Sequence, residues 1–267
     1  MSAVVGTSRI AAAFASAKAA SKCAFVPYIT AGFPGRADTV PVLLGMQAGG
    51  ADVIELGVPF SDPLADGSTI QEASEAAVAA GITVADCIAF VGAARAAGLT
   101  VPVVMMGYYN PFMQYGEARL AADCAAAGVD GFIVVDLPPE AAGTFRAATE
   151  THALAMVPLV APTTTDARMR QIAAIASGYV YCVSVTGVTG QRSELPPDLA
   201  SFIGRCRAAF AVPLAVGFGL STNAHVKTVG TMADGAVMGS RVVRTAGAAG
   251  TGNAAKAVEE MCREVTA

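Results

Sequence analysis

The segment Ile54-Glu55-Leu56-Gly57-Val58-Pro59-Phe60-Ser61-Asp62-Pro63-Leu64-Ala65-Asp66-Gly67 ends an apolar run on a carboxylate and sets two more carboxylates in the loop that follows. A carboxylate is costly to desolvate, so Glu55 inside such a run demands either a partner or a use. Strand alternation puts Glu55 on the same side as Val53, opposite Ile54 and Leu56. Burial raises a carboxyl pKa, which suits a group that must both give and take a proton near neutral pH. Asp66 supplies a second carboxylate in a wetter setting. Two carboxylates in unlike surroundings can divide acid–base and electrostatic roles. The same residues also allow a plainer reading, in which Glu55 forms a structural ion pair and Asp62 and Asp66 cap turns beside the prolines. Residue types alone leave both open.

A second constellation suits an anion. Gly217-Phe218-Gly219 and Gly239-Ser240 follow the last two apolar runs of the chain. Glycines let backbone N–H groups approach a phosphate, and a helix N-terminus adds a favourable dipole. One such pair alone would read as a tight turn; two at matching positions favour a phosphate site, which barrels often carry after strands seven and eight. Other chemistries lack their residues. The chain has four lysines, Lys18, Lys22, Lys227 and Lys256, and none ends an apolar run, which disfavours Schiff-base or pyridoxal phosphate chemistry. Its two histidines, His152 and His225, stand apart from any ligand cluster, so no metal is expected. His152 reads as a helix C-terminal residue and His225 as a surface helix residue.

Eight short apolar runs position these groups. Val26-Pro27, Val101-Pro102, Val157-Pro158 and Val212-Pro213 open four of them, proline being tolerated at the first residue of a strand. They alternate with runs entered through Ala51-Asp52, Val129-Asp130, Ser177-Gly178 and Ala233-Asp234. Alanine-rich stretches long enough for helices lie between, such as Pro41 to Ala48, Glu117 to Ala127 and Pro139 to Thr149. Strands alternating with helices imply βαβ units and a parallel sheet. Eight units favour a single closed (β/α)8 TIM barrel, an α/β fold, occupying residues 1–267 as one domain. Val258, Met261, Cys262 and Val265 form the apolar face of a last helix. The longest irregular segments, Val58 to Ile70 and Ser184 to Pro197, are expected to carry function.

Composition agrees. Hydrophobic residues make up 54% of the 267 and charged ones 14%, as expected of strands covered on both faces. The net charge of −4, with no basic cluster, argues against nucleic acid. Mean hydropathy is positive, but the long uncharged stretches Ala96 to Gly116 and Gln171 to Gln191 are broken by Gly, Pro, Ser and Thr. Neither offers the roughly 20 apolar residues of a membrane span. Six cysteines without paired spacing read as small buried hydrophobes in a reducing, cytoplasmic compartment. The N-terminus, rich in Ala and Ser with no acid before Asp38, superficially resembles an organellar transit segment. Ile10, Ala13, Phe14 and Ala17 nevertheless fall at helical spacing, with Arg9 and Lys18 elsewhere on the wheel, which favours an extra helix within residues 1–22 packed on the barrel.

The run IELGVPFSDPLADGSTIQ at 54–71 closely resembles the signature of the tryptophan synthase α-subunit family. The resemblance continues through AFVPYITAGFPG (24–35), YYNP (108–111), GFIVVDLPPE (131–140), GVTG (187–190), GFG (217–219) and MGS (238–240), in order along the whole barrel. It implies a lyase that splits indole-3-glycerol phosphate into indole and glyceraldehyde 3-phosphate. Glu55 matches the family's catalytic glutamate and Asp66 the aspartate that accepts the indole N–H. Tyr181 matches an active-site tyrosine. Tyr28, Tyr108, Thr189, Gly190, Phe218, Gly219, Gly239 and Ser240 match substrate-binding positions. Asp62, Asn110 and Asp136 match positions at the contact with a β subunit, although Asn110 or Asp136 could simply cap a helix. Val185 stands where some relatives carry a basic residue, which touches loop closure and not chemistry. The resemblance further implies an α2β2 heterotetramer, with pyridoxal phosphate in the β subunit and no cofactor in this chain. A stand-alone lyase releasing free indole and a catalytically silent subunit are the alternatives.

Overall fold

The computed structural model describes residues 6–184, 197–217 and 219–267. Within them the chain runs α1 Gly6–Ala19, β1 Ala24–Thr30, α2 Thr39–Ala48, β2 Ile54–Gly57, α3 Ser68–Ala79, α4 Val84–Ala96, β3 Val103–Gly107, α5 Tyr109–Tyr115 and α6 Glu117–Ala127. It continues through β4 Gly131–Val134, α7 Gly143–Thr151, β5 Ala155–Met156, β6 Leu159–Val160, α8 Asp166–Ala173, β7 Val180–Val183 and α9 Leu199–Ala209. The last elements are β8 Leu214–Gly217, α10 Asn223–Gly230, β9 Gly235–Met238, α11 Ser240–Ala249 and α12 Ala254–Thr266.

All strand pairs are parallel, in the order β5-β4-β3-β2-β1-β9-β8-β7-β6. β5 and β6 are two halves of one run, broken at Val157-Pro158. The first half pairs with β4 and the second with β7. The run therefore bridges the two ends of the sheet and closes the barrel. β1 does the same on the opposite side, pairing with β9 through Ala24–Pro27 and with β2 from Tyr28 onward.

The eight expected runs and the barrel class are as observed, with four local differences. Pro27 is interior to β1 and does not open it; its missing donor falls just before the β1–β2 register starts at Tyr28↔Glu55. Glu55 stands two residues inside the C-terminal end of β2, so it is deeper than the end of its strand. The helix expected from Pro139 begins only at Gly143. Pro138-Pro139 instead make turns, through Ala141 N–H to Pro138 O (3.0 Å) and Ala142 N–H to Pro139 O (3.3 Å). Two helices, α3 and α4, fill the connection between β2 and β3, and another two, α5 and α6, that between β3 and β4.

Side-chain parity divides the core in two. Val26, Val53, Val104, Ile133, Ala155, Tyr179, Tyr181, Ala215 and Val237 fill the barrel interior. Phe25, Ile54, Leu56, Met105, Phe132, Cys182, Val216 and Met238 face the helices. Glu55 therefore shares the interior with Val53, as alternation requires. Helix α1 closes the N-terminal mouth with Ile10, Phe14 and Ala17, while Ala13 is only half-buried. Arg9 is held at that end by Asp130 (2.6 Å), which also receives Arg95 (2.8 Å). On α12, Val258, Met261, Cys262 and Val265 are buried as their spacing predicts. Five of the six cysteines are buried and all six are free thiols. Among the described residues no single helix is long and apolar enough to cross a membrane.

Candidate active site

Glu55 is 0% exposed. It lies in the register Tyr28↔Glu55↔Val104 across β1, β2 and β3. Across the barrel, the Tyr179 hydroxyl donates to Glu55 Oε1 at 2.6 Å, while Oε2 is buried without a hydrogen-bond partner among the described residues. No cation answers the carboxyl, so the ion-pair reading of Glu55 does not hold among the described residues. Burial pushes its pKa up to about 8, against the opposing effect of the Tyr179 hydrogen bond. At neutral pH Glu55 is thus mainly a carboxylic acid, one that can release its proton and take it back.

Asp66 sits on the loop between β2 and α3, half-buried. The Tyr108 hydroxyl donates to Asp66 Oδ2 (2.9 Å) and accepts from Ala65 N–H (2.9 Å). Partial burial raises the Asp66 pKa, and the Tyr108 bond opposes the shift. The loop is fastened to α3 as well. Ser74 Oγ accepts from Phe60 N–H (2.8 Å) and donates to Phe60 O (3.0 Å), and Gln71 Nε2 donates to Asp66 O (2.9 Å). The Phe60 and Tyr108 rings stack with centroids 5.2 Å apart. Asp66 is wetter than Glu55, as expected.

Two tyrosines on opposite sides of the barrel complete the polar lining. Tyr28 on β1 and Tyr181 on β7 are each 8% exposed. Each hydroxyl lies over a strand-end glycine: a Cβ on Gly57 would stand 2.0 Å from Tyr28 Oη, and one on Gly217 would stand 2.0 Å from Tyr181 Oη. Tyr28 Oη and Thr30 Oγ1 share a 3.2 Å hydrogen bond. Burial first, then the nearby carboxylates Glu55 and Asp66, raises the Tyr181 pKa well above its ordinary value. Both tyrosines stay neutral and offer O–H groups.

The anion-suited residues lie at the same end of the barrel. Gly239 is the N-cap of α11 and Ser240 its first residue, both half-buried, so the first N–H groups of α11, which have no partner within the helix, lie at this end of the barrel. Gly219 has φ +84°, a backbone that glycine tolerates. Phe218, Thr189, Gly190 and Val185 lie outside the described residues, as does most of the segment from Ser184 to Pro197. The candidate interface residues cluster on the rim. Asp62 and Asn110 are exposed, and Asp136 is exposed but bound: its Oδ1 accepts from Tyr109 N–H (2.7 Å) at the start of α5. Asp136 therefore does cap a helix. His152 is the C-cap of α7. His225 lies on α10, half-buried, and its Nδ1 accepts from Ser221 N–H (3.2 Å) where the chain enters that helix.

Tyr179 is the residue that sequence reasoning passed over. Its signal was present: Tyr179 and Tyr181 are two apart, so alternation puts both hydroxyls inside with Glu55. Among the described residues no group of three or more His, Cys, Asp or Glu could hold a metal ion.

The family model for the tryptophan synthase alpha chain matches residues 14–267. The tryptophan synthase alpha chain of Roseiflexus sp. is 51% identical over 88% of this chain and 90% of that protein. The tryptophan synthase subunit alpha from Legionella pneumophila superposes with a TM-score of 0.89 at 36% identity, over 97% of both chains. A chain of the tryptophan synthase complex from Pyrococcus furiosus does so with a TM-score of 0.84 at 35% identity, over 91% of this chain and 98% of that one.

Proposed function

The chain belongs to the tryptophan synthase alpha chain family, whose reaction is the lyase cleavage of indole-3-glycerol phosphate, and we propose that Glu55 and Asp66 divide that reaction between them. The observation that carries this reading is Glu55: a carboxyl buried inside the barrel, held by Tyr179 through one oxygen, with the other oxygen unpartnered among the described residues. The protonated Glu55 gives its proton to C3 of the indole, and the ring becomes an electron-poor indoleninium. The Glu55 carboxylate then removes the proton of the adjacent side-chain hydroxyl. The bond between C3 and the side chain breaks, its electrons return to the ring, and the side chain leaves as the aldehyde of glyceraldehyde 3-phosphate. Glu55 ends protonated, as it began. Asp66 accepts the indole N–H and offsets the transient positive charge, an electrostatic contribution fixed in advance by Tyr108.

Tyr28 and Tyr181 flank the reacting carbons, Tyr108 lines the apolar indole pocket, and Gly219, Gly239 and Ser240 receive the phosphate; Phe218, Thr189 and Gly190, which the family resemblance adds to the substrate contacts, lie outside the described residues. The α11 N-terminus supports the phosphate assignment. Indole passes to a β subunit in an α2β2 assembly that meets the rim at Asp62, Asn110 and Asp136. Support comes from the likeness to a chain of the Pyrococcus furiosus complex and from the exposure of these residues. Residues 1–267 act as one cytoplasmic domain that uses neither metal nor organic cofactor; pyridoxal phosphate belongs to the β subunit. Indole formation from indole-3-glycerol phosphate, measured with and without β subunit, tests the reading. Wild-type turnover should rise with β subunit, and folded Glu55→Gln should have none. Substantial turnover by that variant removes Glu55 from the central role.

A further inference from the structure

Phe14 lies on α1, at the opposite end of the barrel from Asp66 and the α11 N-terminus, yet its ring reaches the polar interior. It packs on Tyr179 with centroids 5.4 Å apart and planes inclined at 41°. Phe14 is 4% exposed and Tyr179 0%. Room for the ring is made by small residues: a Cβ on Gly235 would stand 2.9 Å from Phe14 Cε1, and Ala24, Ala155 and Ala215 share this part of the interior. On its other side Phe14 borders a cleft of about 980 Å3 at the N-terminal mouth, also lined by Lys18, Asp52 and Asp234. Phe14 therefore stands between that cleft and Tyr179. The helix is pinned in register from its other end, where Arg9 meets Asp130 and a Cβ on Gly6 would stand 2.5 Å from Asp130 O.

We propose that Phe14 is a positioning residue for the cleavage reaction: its ring backs Tyr179, and Tyr179 in turn aims the Glu55 carboxyl. This rests on the acid–base reading of Glu55 given above. The relay is short and wholly buried, from the Phe14 ring to the Tyr179 ring and from the Tyr179 hydroxyl to Glu55 Oε1 at 2.6 Å. Among the described residues the other titratable groups facing Glu55 are hydroxyls, Tyr28 from β1 and Tyr181 from β7, with Asp66 beyond them. The cations of α1 point elsewhere, Arg9 to Asp130 and Lys18 to the cleft. Without the Phe14 ring, Tyr179 loses its support on the cleft side and can tilt. A misplacement of well under 1 Å at a proton-transferring group is enough to slow the chemical step.

The test is a double-mutant cycle on kcat and KM, with the chain saturated by its β subunit. Phe14→Leu, which keeps most of the apolar volume but loses the ring, should lower kcat about ten-fold and change KM less than about two-fold. Phe14→Ala should lower kcat further. The relay predicts strong coupling, so Phe14→Leu added to Tyr179→Phe should cost less than about two-fold beyond Tyr179→Phe alone. Losses that multiply in the double variant, or that appear in KM rather than kcat, overturn the relay and leave Phe14 as packing only. Phe14→Leu with wild-type kcat overturns it equally. Folding is followed by thermal unfolding, and Phe14→Leu carries the test if Phe14→Ala does not fold. Glu55→Gln run alongside separates the two levels: if it stays active, the acid–base reading falls and the relay with it. If it is inactive while the cycle is additive, the relay alone falls.

Discussion

The Tyr179 hydroxyl donates a 2.6 Å hydrogen bond to Glu55 Oε1 from 124 residues away along the chain, with both groups fully buried. A donor to a carboxylate favours its charged form, so this bond holds the Glu55 pKa below the value burial alone would set. Tyr179→Phe should therefore raise that pKa further above about 8. The limb of the kcat–pH profile governed by Glu55 should move to higher pH, and kcat at neutral pH should fall about ten-fold as the carboxyl loses its aim. A profile that stays in place or moves to lower pH contradicts this account.

Glu55 should also leave a mark on stability. Its folded pKa is about 8 against an ordinary 4.5, so across that window the folded chain holds a proton that the unfolded chain has released. The unfolded state then binds fewer protons, and stability must fall as pH rises from about 4.5 to about 8. Glu55→Gln abolishes this slope. Thermal unfolding should show the variant gaining on the wild type across the window, by an amount on the order of a few kcal/mol at its upper end, and no further above it. A constant difference across the whole range would mean that Glu55 does not titrate in the folded chain as its burial requires.

Asp66→Asn keeps a hydrogen-bond acceptor but loses the charge that offsets the indoleninium. We expect kcat to fall about 10²–10³-fold, with little change in affinity for glyceraldehyde 3-phosphate. Tyr108→Phe, which removes the donor to Asp66 and the acceptor for Ala65 N–H, should give a smaller loss of about ten-fold. Steady-state constants and product titration check both. An equal loss of turnover and product affinity in Asp66→Asn would point to a disordered loop.

Gly217→Ala puts a methyl group where the Tyr181 hydroxyl stands, 2.0 Å from it, and Gly57→Ala does the same to Tyr28. Each should cost about 1–3 kcal/mol in thermal unfolding and raise KM by displacing its tyrosine from the mouth of the barrel. A variant with unchanged KM and stability would show that the tyrosine can move aside without consequence.

The interior placement of Glu55 with Val53 was legible because a strand has a period of two, and parity can be counted along the chain. The apolar face of α12 was legible for the same kind of reason, with a period of 3.6. Local chemistry misled at Pro27, where the residue type argued for a strand start. The structure uses the proline where β1 passes from one neighbour to the other. It misled again at Pro139, where an alanine-rich stretch read as helix from its first residue; the chain makes two turns there first and the helix starts at Gly143.

From its spacing alone the chain determined eight alternating strand–helix units, an inward carboxylate on the second strand, and glycines directly after the last two. Each of these is a local property, fixed by how neighbouring residues along one element point. Only the tertiary structure decided that Tyr179 holds Glu55, that Phe14 stands behind Tyr179, that Tyr108 fixes Asp66, and that the run broken at Pro158 closes the barrel. Those pairings depend on strand tilt and stagger around a closed sheet, which set what faces what across the interior, and no spacing within a single element encodes them.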